Sequence, residues 1–488
     1  MPMDLLKNKR TIPFWLFTFF VIVILIISQL VQDGMFMDGL LYTVVGKNLA
    51  DGLGSFWDPH VSKTIMYSFH EQPPLYFGLL ALFYKTFGNS MYVERLFCFV
   101  FFSGTAIYIH RIWKKIYSFN SDIAEISWLP ILFWITIPLC FWAYTNHVEE
   151  TVMAFFALAA VYHIYIALDL DEYVIWNLIV AGIFIFLSSL TKGAQGLFPI
   201  IGAAAYWLVS KKVSFQKMIT YSLILIAIPT VIYILLLITD PKVYNSYHIY
   251  FNIRYIRAFN GAESTTDNRF EIIGRLFMEL LPIILFSMLI LFFMRKHKQV
   301  DEEGQMRYGI ILWMFLIGLS GTLPLMVTFA QRGFYLVTAL PYFAIGIAML
   351  LAPRLASLIN KITITSKLFR IFMVMSAGLL IASIIFTGSR IGKCKRDGDV
   401  ISDVYEIGTV IPHGDIATIP SEMLGEWSIR YYLLRYFYIS IDSKNENYHY
   451  FIIWKKSSIN LIPKGYKLYP LNTKELDLYV LKQAKNEK

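Results

Sequence analysis

Long apolar runs separated by short polar segments dominate the chain from Ile12 to Thr387. Many reach the roughly 20 residues that a helix needs to cross the apolar core of a bilayer. The pattern therefore predicts about eleven membrane crossings. They are residues 12–30, 91–108, 126–144, 152–168, 175–190, 197–209, 219–238, 272–294, 310–329, 334–351 and 368–387. The first run is too long for a signal peptide and lacks a cleavage site, so we expect it to remain as an anchor.

One further apolar run, residues 73–87, is predicted not to cross. Its 15 residues reach roughly 22 Å as a helix, which is short of a core about 30 Å thick, and it opens with two prolines. With this segment seated in the membrane, all short Lys/Arg clusters fall on one side, which the positive-inside rule assigns to the cytoplasm. These clusters are residues 7–10, 110–115, 211–217 and 295–298, with Arg354 and Lys361.

The last hundred residues differ in kind, since they hold no spanning run and are rich in charge and tyrosine. Residues 415–420, 448–454 and 476–481 have strand patterns, and residues 426–436 have a helical one. The predicted fold is a polytopic α-helical membrane protein with a large first outer loop and a small C-terminal α/β domain. We place the membrane domain at residues 1–388 and the α/β domain at 389–488. The N-terminus is predicted to lie in the cytoplasm and the C-terminal domain outside it, at the cytoplasmic (inner) membrane.

Composition supports an integral membrane protein. The chain is 57% hydrophobic and only 16% charged, with a mean hydropathy of +0.55, whereas soluble domains are about a quarter charged. The net charge of +9 reflects basic loops at membrane edges, so no nucleic-acid partner is expected. The three cysteines provide neither a disulfide framework nor a metal-binding pair.

Asp38 follows the first crossing, with Tyr42 one helical turn later. A carboxylate at the outer membrane surface is a candidate general base toward a hydroxyl group. The alternative is a helix N-cap, a position that Asp favours.

A divalent metal site is a second hypothesis, since His and carboxylate ligands suit zinc, manganese or magnesium. The candidate ligands are His70, Glu71 and His147. His147 and Glu150 would share a helix face at a spacing of three. The spacing is not diagnostic, and Glu149 and Glu150 equally suit a solvated helix start.

Lys192 and Arg332 are predicted to lie outside, where the charge rule disfavours them. A phosphate or carboxylate partner would explain both, and the alternative is snorkelling to outer headgroups. Residues 244–257 alternate aromatics with Arg254 and Arg257, which indicates either an interfacial belt or a ledge over a lipid phosphate.

Taken in order, these pieces resemble the GT-C membrane glycosyltransferases, in the branch of protein O-mannosyltransferases and lipid A aminoarabinose transferases. The resemblance rests on short motifs spread along the chain. They are Asp38-x-x-x-Tyr42, Asn48-Leu-Ala-x-Gly52, His70-x-x-Pro-Pro-Leu-Tyr76, Phe87-Gly-Asn-Ser90, Glu94-Arg-Leu96, the acidic residue Glu149 or Glu150, Leu190-Thr-Lys-Gly193 and Arg332-x-x-Tyr335. Gly39 stands where many relatives have Glu, and Gln72 stands where the aminoarabinose transferases have Lys.

The resemblance implies transfer of a sugar, hexosyl or pentosyl, from a polyprenyl-phosphate carrier at the outer face of the membrane, with inversion. The acceptor is a lipid, glycan or protein. Asp38 would be the base. The residues expected to bind substrate are Tyr42, His70, Glu71, Glu149, Glu150, Lys192, Arg332 and Tyr335. No cofactor is required, although a divalent metal is possible, and the partners are the lipid-linked donor, the acceptor and membrane lipids.

Two other classes of protein remain open. A transporter or lipid flippase would show internal symmetry and charges near the bilayer midplane, neither of which the sequence displays. A non-catalytic lipid-binding subunit would tolerate the loss of Asp38.

Overall fold

The computed structural model describes residues 9–294, 306–444 and 448–482. The basic residues at positions 7 and 295–298 lie outside these ranges. The chain divides into two compact units. The larger contains the residues up to Val31, Glu71–Tyr76 and Arg95–Ile391. The smaller contains Gln32–His70, Phe77–Glu94 and Gly392 onward, so the first outer loop groups with the C-terminal residues.

Helices form the larger unit. Their bounds are Ile12–Ile22 with a π-helical continuation Val23–Ile27 and Ser28–Leu30, then Met91–Ile116, Ser121–Ala124, Trp128–Thr136, Pro138–Thr145, Glu150–Asp169, Val174–Lys192, Gly202–Ser210, Phe215–Thr239, Pro241–Tyr250, Arg257–Phe259, Glu271–Met294, Tyr308–Thr322, Leu340–Asn360 and Lys367–Gly388. Short 3-10 segments cover Gly193–Ile201, Leu323–Val327 and Gly333–Thr338, and a π-helical one covers Phe251–Ile256.

Within the described ranges, nine helices are long and apolar enough to cross a membrane, or ten if a bent pair counts as one span. That pair, Ser121–Thr136 and Pro138–Thr145, bends by 76° at Ile137, since proline follows it. The prediction of about eleven crossings exceeds this count because Val174–Ser210 is counted as one candidate span of 37 residues. This run breaks at Gly193, and Gly196 packs so tightly on the backbone of Ser188 that a Cβ would clash. The two predicted crossings inside it are therefore the two arms of one folded segment.

The residues 73–87 contain one helix, Leu75–Phe87, of 13 residues. At 1.5 Å per residue it reaches about 20 Å, too short for a bilayer core. The expectation of a helix that does not cross agrees with this length.

Asp169 ties together several segments at one end of the larger unit. Its carboxylate accepts hydrogen bonds from Arg307 at 2.6 Å, Lys212 at 2.9 Å and Tyr206 at 2.7 Å. Arg307 also donates to the carbonyl oxygen of Ile116 at 3.0 Å. The basic clusters near residues 115 and 212, predicted to share one side of the membrane, thus do share one end of the helices.

The smaller unit contains the helix Met37–Ala50, a two-stranded antiparallel ribbon (β1, Gly54–Ser55; β2, Asp58–Pro59) and a five-stranded sheet. The sheet strands are β3 (Ile416–Thr418), β4 (Ser440–Asp442), β5 (Tyr450–Trp454), β6 (Tyr466–Tyr469) and β7 (Leu476–Leu481), in the order β4-β3-β5-β7-β6. β3 runs parallel to β4 and β5, whereas β7 runs antiparallel to β5 and β6. The helices Gly398–Gly408 and Trp427–Phe437 and short 3-10 turns at Ser421–Gly425 and Ile459–Leu461 complete the unit, and the predicted α/β class is confirmed.

A buried ion pair within this unit links the helix Trp427–Phe437 to Glu94, in the first turn of the helix Met91–Ile116. Arg435 donates to one oxygen of Glu94 through Nε at 2.9 Å and Nη2 at 2.7 Å, and both residues are almost fully buried. The hydroxyl of Tyr84 donates to the same oxygen at 2.5 Å. Lys47, which is 1% exposed, donates to the carbonyl oxygen of Arg435 at 2.7 Å and lies over the ring of Tyr438. These bonds satisfy charges that would otherwise destabilise the interior.

Candidate functional site

A cavity of about 1130 Å³ lies within the larger unit. Most of its wall is apolar and comes from the 3-10 segments Gly193–Ile201 and Leu323–Val327, with Ile226 of the neighbouring helix. Contacts join several polar side chains of the wall, since Lys192 lies over the ring of Tyr335, Tyr250 pairs with Tyr255, and Arg254 pairs with Glu263. The larger polar residues of the wall are Gln72, Lys192, Gln195, Tyr250, Arg254, Tyr255, Glu263 and Tyr335, and the smaller ones are Ser222, Ser320 and Thr328. The cavity therefore suits a ligand with an apolar tail and a polar head.

Lys192 ends the helix that begins at Val174, and the sharp turn after it sets its position. Gly193 has a φ of +70°, a conformation that other residues adopt only with strain. A Cβ at this position would also collide with the hydroxyl of Tyr250. The Thr-Lys-Gly sequence thus places a lysine at the cavity wall, with its backbone tightly fixed.

Two carboxylates hold the ammonium of Lys192. It lies 2.6 Å from Oε1 of Glu150 and 3.4 Å from Oε2 of Glu149, and the three side chains are at most 6% exposed. The ring of Tyr335 lies 5.2 Å from the ammonium, within the range of a cation–π contact. The structure therefore brings together four of the residues predicted to bind substrate.

The two glutamates are not the solvated helix start that one interpretation predicted, because both are fully buried. Burial raises the pKa of the Glu149 carboxyl above its ordinary value. Its Oε1 makes no hydrogen bond to any described residue. The ammonium of Lys192 thus contacts two buried carboxylates, and it lies closer to Glu150 than to Glu149.

Arg254 supplies the second cation of the cavity wall. Its Nε donates to the carbonyl oxygen of Glu71 at 2.8 Å, its Nη2 to the carboxylate of Glu71 at 2.8 Å, and its Nη1 to the carboxylate of Glu263 at 3.1 Å. Nearby, Tyr255 accepts a hydrogen bond from the amide of Ala194 at 2.9 Å. The stretch of aromatic and basic residues therefore lines the cavity.

Arg332 lies on the loop that leads to Tyr335, and it is exposed. Its side chain makes no hydrogen bond or ion pair with the residues that the structure describes, and it does not line the cavity. A direct part in binding a phosphate remains a prediction for Arg332.

The residues of the metal hypothesis are each engaged elsewhere. His70 is buried, which lowers its pKa, and its Nε2 contacts Asp58 at 3.1 Å. Glu71 binds Arg254, and the ring of His147 contacts the hydroxyl of Tyr76 and stacks on Phe97. Among the described residues, no group of three or more His, Cys, Asp or Glu side chains is placed to hold a metal ion.

The predicted helix face shared by His147 and Glu150 is wrong. The helix begins only at Glu150, and His147 precedes it with a φ of +61°. The backbone at His147 thus turns out of helical geometry, and its ring points at Tyr76 instead of continuing the helical row.

Asp38 and Tyr42 lie on the helix Met37–Ala50 of the smaller unit. The N-cap of this helix is Phe36, so the alternative of an Asp38 N-cap is wrong. Asp38 lies in the first turn and is partly exposed, and its carboxylate makes no hydrogen bond or ion pair within the described part of the chain. Tyr42 is buried against the rings of Phe69 and Phe77, so its contact with a substrate stays a prediction.

Sequence reasoning missed the acidic partners of Arg254. Glu263 lies in a loop without periodicity, where spacing gives no signal about contacts. Gln72 was noted only as a departure from a lysine, yet it lines the cavity. One signal was available in the sequence. Arg254 lies among aromatic residues, and a half-buried arginine needs an acidic partner.

Comparisons with known proteins agree with this architecture. Residues 71–236 match the family described as dolichyl-phosphate-mannose-protein mannosyltransferase. No curated protein matches the chain.

Among solved structures, ArnT from Cupriavidus metallidurans bound to undecaprenyl phosphate is similar to the chain with a TM-score of 0.66 and 11% identity, covering 95% of this chain and 97% of that one. ArnT in the apo state gives a TM-score of 0.63 at 11% identity, covering 94% and 96%. The apo oligosaccharyltransferase of Archaeoglobus fulgidus gives a TM-score of 0.50 at 11% identity, and the match covers 98% of this chain and 75% of that one. These likenesses confirm the predicted fold class.

Proposed function

The chain has the fold of the GT-C membrane glycosyltransferases, and on that premise we propose that it transfers a sugar from a polyprenyl-phosphate carrier to an acceptor. The sugar is a hexosyl or pentosyl group, and the acceptor is a lipid, glycan or protein. The reaction takes place at the outer face of the cytoplasmic membrane. No metal takes part in the proposed reaction.

The observation that carries this proposal is the cavity with its divided wall. A polyprenyl phosphate has a long apolar tail and one anionic head, and it needs an apolar channel that ends in fixed cations. Lys192 and Arg254 are the basic residues among the described residues of the wall. The matched solved structure of ArnT holds undecaprenyl phosphate, which has the same two-part chemistry.

In the proposed reaction, an acceptor hydroxyl oxygen forms a bond to the anomeric carbon of the donor. The bond from that carbon to the phosphate oxygen breaks, and its electron pair leaves with the polyprenyl phosphate. Lys192 and Arg254 lie where this developing negative charge would be stabilised more in the transition state than in the bound donor. The stereochemistry at the anomeric carbon inverts, as in the family that the sequence resembles.

Asp38 is the proposed general base, which takes the proton of the acceptor hydroxyl. Its support is local and comes from the helix Met37–Ala50. The carboxylate is partly exposed and bears no partner among the described residues, and the N-terminal turn of a helix stabilises a negative charge. An accessible carboxylate without a competing partner is suited to act as a base.

The test uses the full chain in lipid nanodiscs with a panel of radiolabelled polyprenyl-phosphate sugars and membrane extract as the source of acceptor. The expected result is release of free polyprenyl phosphate together with labelled product, both lost in the Asp38→Asn variant. A flippase would instead move the intact lipid across liposome bilayers without forming product, and this result would overturn the proposal.

A further inference from the structure

The two cations of the cavity wall are already neutralised by acidic side chains. Lys192 contacts Glu150 and Glu149, and Arg254 contacts Glu71 and Glu263. Four carboxylates therefore surround two cations. A cavity that only had to attract an anion would not surround its two cations with carboxylates.

Glu263 is the acidic residue among the described residues of the wall. Its side chain is 29% exposed, and its Oε2 lies 3.1 Å from Nη1 of Arg254. A phosphate that approaches this guanidinium meets the Glu263 carboxylate beside it. Unlike Glu71, which is also bonded through its backbone carbonyl, Glu263 is held to Arg254 by its side chain alone.

The charge of the carrier changes during transfer. The donor is a phosphodiester with one negative charge, whereas the released carrier is a phosphomonoester that carries between 1.5 and 2 negative charges near neutral pH, since its second pKa is about 6. Like-charge repulsion grows with the charge of the ligand. A carboxylate beside the phosphate therefore penalises the spent carrier more than the donor.

We propose that Glu263 is a specificity-determining residue that makes the cavity favour a monoanionic phosphodiester lipid over a dianionic phosphomonoester lipid. This inference rests on the proposed function and adds to it a physical reason for release of the spent carrier. The other charged groups at this place are Lys192, Glu149 and Glu150 on two helix ends, and Glu71 before the short helix Leu75–Phe87. Glu149 is fully buried and is not among the described residues of the cavity wall.

The probes are farnesyl phosphate and its methyl phosphodiester, which share a tail and differ by one charge. Binding of each to the full chain in nanodiscs is measured at pH 8 for the wild type, Glu263→Gln and the control Asp267→Asn. Asp267 is an exposed carboxylate on the same loop that does not line the cavity.

If Glu263 acts through its charge, Glu263→Gln tightens the diester about threefold and the monoester about tenfold, because loss of the carboxylate charge removes one repulsion for each negative charge on the ligand. Asp267→Asn leaves both affinities unchanged. In turnover assays, Glu263→Gln is also inhibited more strongly by polyprenyl phosphate.

Equal gains or losses for the two probes would mean that Glu263 only positions Arg254, and they would overturn the inference while leaving the proposed function standing. If neither probe binds the wild type or any variant, the cavity is not a lipid-phosphate site. That result would overturn the proposed function itself.

Discussion

The ammonium of Lys192 lies 2.6 Å from a carboxylate oxygen of Glu150, and the two side chains are 6% and 0% exposed. A charge that is buried this deeply is tolerated only with a partner, and removal of one member leaves the other uncompensated. The pair therefore fixes the ammonium at the cavity wall before any ligand arrives. It also supplies a carboxylate partner of the kind that the sequence predicts for a lysine on the outer side of the membrane.

The variant Lys192→Met is expected to weaken lipid-phosphate binding and also to destabilise the protein by about 3 kcal/mol, because Glu150 remains buried without its cation. The double variant Lys192→Met/Glu150→Gln removes the stranded charge and should recover most of the thermal stability while binding stays weak. Thermal unfolding in detergent and binding of farnesyl phosphate give the two readouts. Recovery of binding in the double variant would contradict the role of Lys192.

Replacement of Asp38 by Asn is expected to lower kcat about 100-fold or more, the range for loss of a general base, with donor affinity unchanged. The matched control is Asp51→Asn, which alters an exposed carboxylate at the other end of the same helix. Steady-state kinetics with a labelled donor separate kcat from KM. Equal kcat values for wild type and Asp38→Asn would remove Asp38 from the mechanism.

The direction of insertion can be tested with single cysteines at exposed positions, after replacement of the exposed Cys394 by serine. Tyr173 is 84% exposed, and Ala262 is exposed on a loop near the cavity. We predict that a membrane-impermeant maleimide added outside intact cells labels a cysteine at 262 but not one at 173. The reverse pattern would invert the predicted topology.

The stability of the protein should depend on pH through Lys47. Burial and the neighbouring charge of Arg435 lower the pKa of Lys47 from 10.5 to about 7. Between pH 7 and pH 10.5 the Lys47 side chain is protonated in the unfolded chain and largely neutral in the folded protein. The free energy of unfolding therefore rises with pH over this range.

Relative to Lys47→Met, the wild type should therefore gain about 2 kcal/mol between pH 7 and pH 9. Thermal or denaturant unfolding of both proteins at several pH values measures this difference. The variant Lys444→Met, at an exposed lysine of the same unit, should show no such trend. A constant difference between wild type and Lys47→Met would show that Lys47 keeps its proton over this range.

Much of the membrane region could be predicted from the sequence, because the length of each apolar run indicates whether a helix there can span a bilayer. The short run before Phe87 was predicted not to cross for this reason, and its 13-residue helix agrees with that prediction. The fold of the segment around Gly193 was harder to predict. A hydropathy pattern shows its two apolar arms as two separate crossings and gives no sign of the contacts between them.

Contacts between distant residues lay beyond such reasoning. Glu94 and Arg435 are 341 positions apart, and nothing in their local patterns signals that they pair. His147 was assigned to a helix because spacing does not reveal a residue with positive φ. The partners of Arg254 were missed for a related reason, because loops carry no periodicity from which a contact can be inferred.

The central claim is that the chain moves a sugar from a lipid phosphate. The most direct measurement follows a radiolabelled polyprenyl-phosphate sugar in nanodiscs with acceptor membranes, and compares the wild type with Asp38→Asn and Lys192→Met/Glu150→Gln. We predict labelled product and free polyprenyl phosphate in equal amounts from the wild type, and neither from the two variants. Product formed equally well by all three proteins, or donor that is bound and transported intact, would contradict the claim.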